Sequence, residues 1–540
     1  MPERIVVVGY GPVGARFVEG LLPAVRTGAI DLTVIGAETA DAYNRVLIAE
    51  YAVGQADRVA LEITDANAAR EAGVKIVTGT TVTAINRSRH TVTLGTGAQV
   101  AYDRLVLATG ARANIPTLDG VERLRRDRLM PAADAAALDT AEAPLPRGIT
   151  ALRDLNDAHV VLEAVQRGQR IVVLGAGVLG MEIALAASRA GAETCVVYHG
   201  ESPMARNLDV GGGTVLARNV RRAGVAMINH SRAESVIFHL DDDGVERFDG
   251  LVCADGKQIF GDLLLFSCGV GARTELAALA GLSVSTGILV DDSLRSHTDP
   301  DIYAIGDCAH IAPVPREGDA VSVPGGAPAG LIGPGWRQAD WLAAAFLASF
   351  VAEMPPAPLP ERAASVVMLK ADGVNVVAAG NTAADQWAES FSSEFPAPQS
   401  RSNGCSTTLS VAVWADPEHG RYVKMVTREG ILEGFVCVGM PRTGAELTLL
   451  FERGSELPAD RSVLLRFDGP DYDPTIGSDV FALDATVCWC NGVTVGAIAD
   501  SATAGNTTIA CIGSATRAGT GCGGCKHRIG SVLERFAAVV

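Results

Sequence analysis

The chain has 540 residues, of which 48% are hydrophobic, 20% charged and 5% aromatic, and its formal net charge at pH 7 is −17. Because this length exceeds what one hydrophobic core usually serves, we expect about three or four domains. An acidic chain without a strong cluster of Lys and Arg lacks the electrostatic footprint of a nucleic-acid binder, so nucleic acid is not expected as a partner.

The sequence shows no feature of export or membrane insertion. Met1 is followed closely by the apolar run Ile5 to Val8, without the basic region, long apolar stretch and cleavage site of a signal peptide. The longest apolar candidate, residues 341–352, is shorter than the roughly eighteen residues that a span needs and predicts a buried helix. We therefore expect a cytoplasmic protein with no membrane span.

Three segments match the pattern Gly-x-Gly-x-x-Gly, at residues 9–14, 175–180 and 519–524. Glycine fills 59 of 540 positions, so about 0.7 matches are expected by chance and the surrounding sequence must discriminate. The first two follow an apolar strand pattern and open an amphipathic helix pattern, as phosphate-binding loops do. The alternative for each is an ordinary tight turn. The predicted dinucleotide-binding glycines are Gly9, Gly11 and Gly14 in the first loop and Gly175, Gly177 and Gly180 in the second.

An acidic residue that binds the ribose is expected about 20 residues after each loop. Glu38 is the candidate in the first unit, beyond the strand pattern that ends at Ile35. In the second unit the strand pattern ends in His199-Gly200-Glu201, which makes His199 a candidate contact. This segment provides neither an acidic residue at the strand end, which would favour NADH, nor an Arg that would bind the 2′-phosphate of NADPH.

Two further strand patterns end in small residues, at Thr109-Gly110 and at Gly306-Asp307. In this order around two glycine loops they resemble the flavoprotein reductases with two dinucleotide-binding domains. That resemblance implies FAD in the first unit and NAD(P)H in a second, inserted unit. It also implies that Asp307 contacts the flavin ribityl chain and that Thr109 and Gly110 line the FAD pocket.

The segment Ala42 to Tyr51 reads AYNRVLIAEY. It resembles the Tyr-Asn-Arg-Val-Leu-Leu-Ser motif of NADH-dependent nitrite reductase large subunits and of electron-transfer subunits of assimilatory nitrate reductases, with Ala49 in place of the usual Ser. The resemblance makes Asn44 and Arg45 candidate cofactor contacts and favours NADH. Residues 330–339 resemble the stretch that begins a helix near the flavin in those enzymes.

Residues 36–60 contain no Cys. Disulfide reductases of this fold carry a Cys pair there, because their flavin passes electrons to a thiol. The flavin of this chain therefore needs another acceptor, and oxygen, a soluble redox protein or an attached cluster could serve.

Four of the eleven cysteines are paired, as Cys488-x-Cys490 and Cys522-x-x-Cys525. Four thiolates suit an iron-sulfur cluster or tetrahedral zinc, and their spacing alone does not choose. Together with Asn491-Gly-Val and residues 516–525, however, they resemble the bacterioferritin-associated-ferredoxin domain, which implies a [2Fe-2S] cluster. The third glycine match then belongs to cluster-binding turns. The remaining cysteines lie in mostly apolar contexts and are predicted to be buried: 195, 253, 268, 308, 405, 437 and 511.

These observations predict an α/β protein with two Rossmann-like dinucleotide-binding domains in a three-layer FAD/NAD(P) fold. The expected division is an FAD domain at 1–150 and 262–345, an NAD(P)H domain at 151–261, a small mixed α+β domain at 346–470 and a small helical [2Fe-2S] domain at 480–540.

The expected activity is that of an FAD-dependent NAD(P)H oxidoreductase with no catalytic acid or base. Its expected role is the electron-transfer subunit of an assimilatory nitrate reductase, which passes electrons to a separate catalytic subunit. No later Cys set is present to bind a sirohaem-coupled cluster, so nitrite reduction within this chain is not expected. Alternatives are a component of an NADH-dependent nitrite reductase, a ferredoxin-type reductase, or a zinc-containing flavin-sensing interaction module.

Overall fold

The computed structural model describes residues 2–121, 145–314, 326–328, 330–350, 354, 356–357, 359, 366–371, 373–385, 409–469, 481–488, 491–520 and 523–537. Across these ranges, no helix combines the length and the apolar character that crossing a membrane requires.

The N-terminal unit begins with a strand, a glycine turn and a helix, as predicted. Its first strand carries a continuous apolar run, typical of a parallel strand buried on both faces, and residues Ile5 to Val8 are buried. Its elements are β1 (Glu3–Val8), α1 (Pro12–Arg26), β2 (Ile30–Ile35), α2 (Ile48–Ala52), α3 (Ala66–Glu71), β3 (Lys75–Val77), β4 (Val82–Asn86), β5 (Thr91–Leu94), β6 (Gln99–Ala101), β7 (Arg104–Leu107) and β8 (Ala111–Ala113). A 3₁₀ turn at Arg45–Leu47 precedes α2.

The second unit repeats the pattern of strand, glycine turn and helix. Its elements are β9 (Ile149–Ala151), α4 (Leu155–Gln166), β10 (Ile171–Leu174), α5 (Val178–Arg189), β11 (Thr194–Val197), α6 (Val210–Arg222), β12 (Ala226–Ile228), β13 (Ala233–Leu240), β14 (Glu246–Cys253), β15 (Gln258–Phe260) and β16 (Leu263–Phe266). Five of them form a parallel sheet in the order β12-β11-β10-β16-β9, and β13-β14-β15 form an antiparallel sheet.

The chain then returns to the first unit. The returning elements are β17 (Val270–Ala272), α7 (Glu275–Leu279), β18 (Ile288–Val290), β19 (Ile302–Ala304), β20 (Ala309–Ile311) and α8 (Ile332–Phe350). Strand β19 completes a parallel sheet in the order β19-β7-β1-β2-β3. In both sheets the strand order reverses at the strand before the glycine turn, which opens a crevice at the carboxyl ends of the strands where nucleotides bind.

Helix α8 confirms the buried helix predicted near residue 341 and packs along α1. Gly20 of α1 faces it so closely that an added Cβ would lie 2.7 Å from Cβ of Ala343. Phe17 and Phe346 meet edge to face, with ring centroids 5.6 Å apart. Helix α8 is thereby fixed beside the first glycine turn.

A mixed domain follows, with β21 (Val367–Ala371), β22 (Val374–Gly380), β23 (Ser410–Asp416), β24 (Arg421–Arg428), β25 (Ile431–Val438), α9 (Pro441–Arg453) and a 3₁₀ segment at Arg461–Asp468. The strands form an antiparallel sheet in the order β21-β22-β25-β24-β23. Helix α9 packs on one face of this sheet. The other face packs on α6, where Tyr422 donates a 2.6 Å hydrogen bond to Asp209.

The C-terminal part contains β26 (Thr486–Cys488), β27 (Val493–Thr494), α10 (Val495–Thr503), α11 (Ile509–Thr516) and α12 (Lys526–Ala537). These elements enclose a small apolar core that includes Ile498, Ile512, Ile529 and Val532. The fold class predicted from the sequence is confirmed.

The four-domain division stays a prediction. Strands β9 and β16 both pair in the second parallel sheet, so this sheet reaches slightly beyond both ends of the range 151–261.

Candidate functional site

The first glycine loop has the shape of a phosphate cradle. Gly9 adopts a φ of +114°, and a Cβ there would lie 2.1 Å from the carbonyl oxygen of Ala108. A Cβ on Gly14 would lie 2.1 Å from the carbonyl oxygen of Gly9. Gly11 differs, since the nearest atom to its Cβ position is Nη2 of Arg45, at 3.9 Å. The outer glycines are thus required by the turn, whereas the middle glycine keeps the surface open.

The second loop repeats this division. Gly175 has a φ of +115°, and its added Cβ would lie 2.2 Å from the carbonyl oxygen of Ser267. For Gly180 the corresponding distance to the carbonyl oxygen of Gly175 is 2.2 Å. Nothing lies within 4 Å of the Cβ position of Gly177. Two loops of the same geometry therefore present open backbone beside a helix start.

Both helices that follow the loops begin at a glycine N-cap, Gly11 for α1 and Gly177 for α5. Within the described part of the chain, no side chain caps either helix start. The first N–H groups of each helix are therefore available, and the helix dipole favours an anion there. These residues fit a dinucleotide pyrophosphate at each loop.

Glu38, Tyr43 and Arg45 come together at the carboxyl end of β2. The Tyr43 hydroxyl donates a 2.7 Å hydrogen bond to Oε2 of Glu38, and Arg45 pairs with the other carboxylate oxygen. Burial raises the pKa of the Tyr43 phenol above its usual range, which keeps it a donor. Glu38 is about one-third exposed and is held beside the first loop, where a ribose hydroxyl would be met. Its contact with ribose stays a prediction.

Asp307 lies in a 3₁₀ turn at Gly306–Cys308 and forms an ion pair with Arg153 at 3.0 Å. The Nε of Arg153 also donates to the carbonyl of Ala111 at 3.1 Å. The N–H of Gly306 donates a 2.7 Å hydrogen bond to Oε1 of Gln338 on α8. The turn is thus fixed from two sides, and the Asp307 carboxylate remains partly exposed.

Thr109 and Gly110 form the turn after β7. The Thr109 hydroxyl donates to the carbonyl of Arg273 at 2.9 Å, and the Arg273 N–H donates to the carbonyl of Gly110 at 2.9 Å. Gly110 has a φ of +69° with nothing within 4 Å of its Cβ position. Open space at this strand end fits the predicted lining of the FAD pocket.

The helix start predicted near residue 330 is confirmed, since α8 begins at Ile332. The Trp336 indole donates to the carbonyl of Pro12 at 3.3 Å. A Cβ on Gly335 would lie 2.7 Å from Cγ2 of Val13. Helix α8 therefore rests on the first loop itself.

His199 is exposed directly after β11, at the carboxyl edge of the second sheet. Its position agrees with a contact to the second dinucleotide, and this role stays a prediction.

Asn44 lies in a different setting from its neighbour Arg45. It is completely buried, and its Oδ1 accepts a 3.0 Å hydrogen bond from the N–H of Val46. Its Nδ2 donates at 2.9 Å to the carbonyl of Thr520, two positions before Cys522. Asn44 was predicted as a cofactor contact, and these contacts connect it to the C-terminal domain.

Cys488 and Cys525 are both buried and lie within hydrogen-bond distance of each other, which agrees with the predicted cluster ligands. A hydrogen bond from the Cys525 thiol, helped by the N–H groups of Gly519 and Asn491, lowers the pKa of Cys488 to about 6. Backbone donors aimed at sulfur favour the thiolate, the form that binds a metal. The donor set therefore fits a thiolate-ligated cluster. Cys490 and Cys522 lie outside the described residues.

Among the described residues, no group of three His, Cys, Asp or Glu side chains is arranged to hold a metal ion. The burial predicted for the other cysteines is confirmed for Cys253, Cys308 and Cys437, is only partial for Cys195 and Cys268, and is wrong for Cys511, which is exposed on α11. An apolar sequence context does not specify which face of a short helix points outward. Cys405 lies outside the described residues.

The sequence predictions missed Arg153, which binds Asp307, and Arg16. They placed Asn491 and Arg517 in the cysteine motif but did not predict their contacts with the first unit, where Asn491 meets Arg16 and Arg517 meets Glu19. These contacts span 154 to 498 positions along the chain, so no local pattern indicates them. A partly buried carboxylate such as that of Asp307 favours a cation nearby, but sequence alone does not say which one.

Two families match the chain. Residues 3–326 match the family described as pyridine nucleotide-disulphide oxidoreductase, and residues 486–535 match the BFD-like [2Fe-2S] binding domain. The predicted cofactors FAD, NAD(P)H and a [2Fe-2S] cluster are thereby confirmed, and the zinc alternative is not supported.

Curated relatives align with almost the whole chain. The nitrite reductase (NADH) large subunit of Escherichia coli K12 is 29% identical over 536 residues, which are 98% of this chain and 55% of that protein. The assimilatory nitrate reductase electron transfer subunit of Bacillus subtilis 168 is 25% identical over 535 residues, 98% of this chain and 59% of that protein. The chain spans about half the length of the curated relatives it matches.

Solved structures share the fold. The ferredoxin reductase for the CYP199A2 system of Rhodopseudomonas palustris has a TM-score of 0.64 and 20% identity, covering 87% of this chain and 98% of that one. The covalent putidaredoxin reductase-putidaredoxin complex also gives a TM-score of 0.64, with 21% identity, covering 86% of this chain and 97% of that one.

Proposed function

The chain belongs to the pyridine nucleotide-disulphide oxidoreductase family, and from that premise we propose that it is the electron-transfer subunit of an assimilatory nitrate reductase. In this role it oxidises NAD(P)H and delivers the electrons to a separate catalytic subunit. The proposal includes a cytoplasmic location, because NAD(P)H is an intracellular metabolite.

We assign the first loop, with Glu38, Arg45 and the Thr109 and Asp307 turns, to FAD. The second loop and His199 are assigned to NAD(P)H. The assigned cluster ligands are Cys488, Cys490, Cys522 and Cys525. When bound, FAD accepts a hydride from NAD(P)H and releases electrons singly to a [2Fe-2S] cluster.

The chain's own residues bind and orient these groups. The helix starts after Gly11 and Gly177 neutralise pyrophosphate charge. Arg153 holds Asp307 in one orientation, so that its carboxylate can accept a hydrogen bond from a ribityl hydroxyl. The hydrogen-bond donors around Cys488 favour its thiolate, and its burial excludes water. Because hydride transfer needs no proton donor or acceptor, no acid or base is assigned.

The observation that carries the proposal is the buried Cys488–Cys525 pair on the same chain as the two nucleotide loops. With no Cys between residues 36 and 60, the thiol acceptor of disulfide reductases is missing from its usual position. A one-electron exit through the C-terminal domain is consistent with both facts.

The name of the Bacillus subtilis relative supports the nitrate reductase role. A second candidate is a component of an NADH-dependent nitrite reductase, which the Escherichia coli relative favours. Because the chain spans only about half the length of either relative, the identity of the protein that finally accepts the electrons is part of what we propose.

The test combines the holoprotein with NADH and a purified assimilatory nitrate reductase catalytic subunit from the same source. We expect one nitrite for each NADH oxidised, because both conversions transfer two electrons. Cys488→Ser is the matched control, since it removes a proposed cluster ligand and leaves the nucleotide loops intact. Reduction of ferricyanide by NADH without nitrite formation would overturn the nitrate reductase role. Nitrite consumption with a nitrite reductase catalytic protein would favour the second candidate.

A further inference from the structure

The C-terminal domain contacts the first unit through three polar pairs, which we call the dock. Arg517 Nη2 lies 2.5 Å from Oε2 of Glu19. Arg16 Nη1 lies 3.1 Å from Oδ1 of Asn491. The third pair is Asn44 Nδ2 with the carbonyl oxygen of Thr520, at 2.9 Å. Each pair joins a residue of α1 or of the segment before α2 to Asn491, Arg517 or Thr520, which precede or follow predicted cluster ligands in the sequence.

The Arg16 side chain is held in place by contacts within the first unit. Its Nε and Nη2 donate to the two carboxylate oxygens of Asp340 at 2.6 and 2.7 Å. Its guanidinium also lies over the Trp336 ring, 5.4 Å from the centroid. Only 13% of the side chain is exposed. Because the guanidinium is planar, fixing two of its nitrogens also aims the third at Asn491.

Asn491 connects Arg16 to Cys488. Its Oδ1 accepts from Arg16, so its NH₂ group must face the opposite way. That group donates to the carbonyl of Arg517 at 2.8 Å and lies 3.7 Å from Sγ of Cys488. A chain of contacts therefore runs from α1 to the sulfur atom of a predicted cluster ligand.

Asn44 fixes the second cysteine loop to the flavin side. Its neighbour Arg45 lies over the first glycine loop, with Nη2 3.9 Å from the Cβ position of Gly11. Asn44 itself is completely buried against Thr520. The same short segment thus touches the FAD loop and the loop that leads to Cys522.

We propose that Arg16 is a positioning residue for the cluster. Acting through Asn491, it aims an N–H at Cys488 Sγ, and the dock holds Asn491, Arg517 and Thr520 against the flavin unit during electron transfer. The inference rests on the proposed electron path and adds to it the residues that align its exit. A donor aimed at a ligand sulfur stabilises the reduced cluster. Removing it lowers the cluster potential and disfavours the docked arrangement.

The main variant is Arg16→Met, and Arg26→Met is the matched control because Arg26 is exposed on the same helix. The midpoint potential of the cluster is measured on the holoprotein by dithionite titration with mediators and EPR, which requires no NADH. We expect a lower potential in Arg16→Met and the wild-type value in Arg26→Met. Stopped-flow mixing with NADH then gives the rates of flavin and cluster reduction separately. In Arg16→Met we expect cluster reduction to slow about tenfold while flavin reduction changes less than about twofold.

A charge exchange tests the dock without disturbing a buried residue. Glu19 and Arg517 are about one-third exposed, so Glu19→Arg and Arg517→Glu are expected to fold. Each single variant should slow cluster reduction and raise hydrogen exchange along α1, and the double variant should restore both.

A merely structural role for Arg16 would leave the midpoint potential of the cluster unchanged in Arg16→Met.

Wild-type potential and wild-type cluster-reduction rate in Arg16→Met would overturn the inference. If Arg16→Met does not fold, single charge variants without effect would overturn it instead. Failure of NADH to reduce the flavin of the wild-type protein is a separate result, which would overturn the proposed function and leave the potential measurement valid.

Discussion

Arg153 Nη2 donates a 3.0 Å hydrogen bond to Oδ2 of Asp307, joining the residue that precedes the N-cap of α4 to the turn after β19. The two residues are 154 positions apart in sequence. Both side chains are about one-quarter exposed, so the pair is screened less than a surface ion pair. Arg153 begins the second unit and Asp307 belongs to the returning part of the first, so the contact ties the two nucleotide units together.

Arg153→Met should weaken FAD binding, because the Asp307 carboxylate then loses the partner that orients it. We expect the dissociation constant of FAD to rise about tenfold, measured by flavin fluorescence after dialysis. Arg167→Met is the matched control, since Arg167 forms an exposed ion pair with Glu163 on α4. Equal FAD affinity in both variants would show that Arg153 does not contribute to FAD binding.

Alanine substitutions should separate the roles of the glycines in the second loop. Gly177→Ala adds a methyl group where nothing lies within 4 Å, so it should weaken NADH binding without lowering the urea midpoint. Gly180→Ala places a methyl group 2.2 Å from the carbonyl oxygen of Gly175 and should destabilise this unit by about 2 kcal/mol or more. Equal stability of the two variants would contradict this division.

Cys488→Ser and Cys525→Ser should each remove the cluster. Iron should fall from about two atoms per chain to a small fraction of that, while FAD content stays at the wild-type level because the nucleotide loops are unchanged. Cys511→Ser, at an exposed position on α11, is the control and should retain its iron. Full iron content in Cys488→Ser would show that this residue is not a ligand.

The stability of the protein should depend on pH through Asp157. Burial, followed by the charge of Asp154, raises the pKa of Asp157 to about 6, against about 3.9 in an unfolded chain. The folded state therefore binds the proton more tightly, and the resulting stability is complete below about pH 4 and lost as the pH rises through 6.

The side chain of Asp157→Asn cannot ionise. Between pH 4 and pH 7 the free energy of unfolding of this variant, measured by urea denaturation, should therefore rise relative to wild type by on the order of 2 kcal/mol. Asp242→Asn, in an exposed turn, provides the control. A difference between wild type and Asp157→Asn that stays constant with pH would show that the carboxyl group does not titrate abnormally.

The glycine loops were predictable because their signal is local: strand, turn and helix lie within about thirty residues, and their order alone selects the fold. The same holds for the strand ends at Thr109 and Asp307. The cysteine pairs were visible from their spacing, but the choice of a [2Fe-2S] cluster came from the resemblance of the surrounding residues to a known domain. In the glycine loops, neighbouring residues determine the conformation.

Asn44 shows where that reasoning ends. Its motif connects it with flavoproteins, but its partner Thr520 lies 476 positions away, and only the packing of two domains brings them together. The second parallel sheet extends past the range 151–261 for a similar reason, because β9 and β16 join it through pairing with strands distant in sequence.

The most direct test of the electron path is anaerobic titration of the holoprotein with NADH, followed by flavin absorbance and by EPR of the cluster. We expect the flavin absorbance to bleach and a [2Fe-2S] signal to grow to about one spin per chain. Bleaching of the flavin without any cluster signal, in protein whose cluster dithionite does reduce, would contradict transfer from FAD to the C-terminal domain.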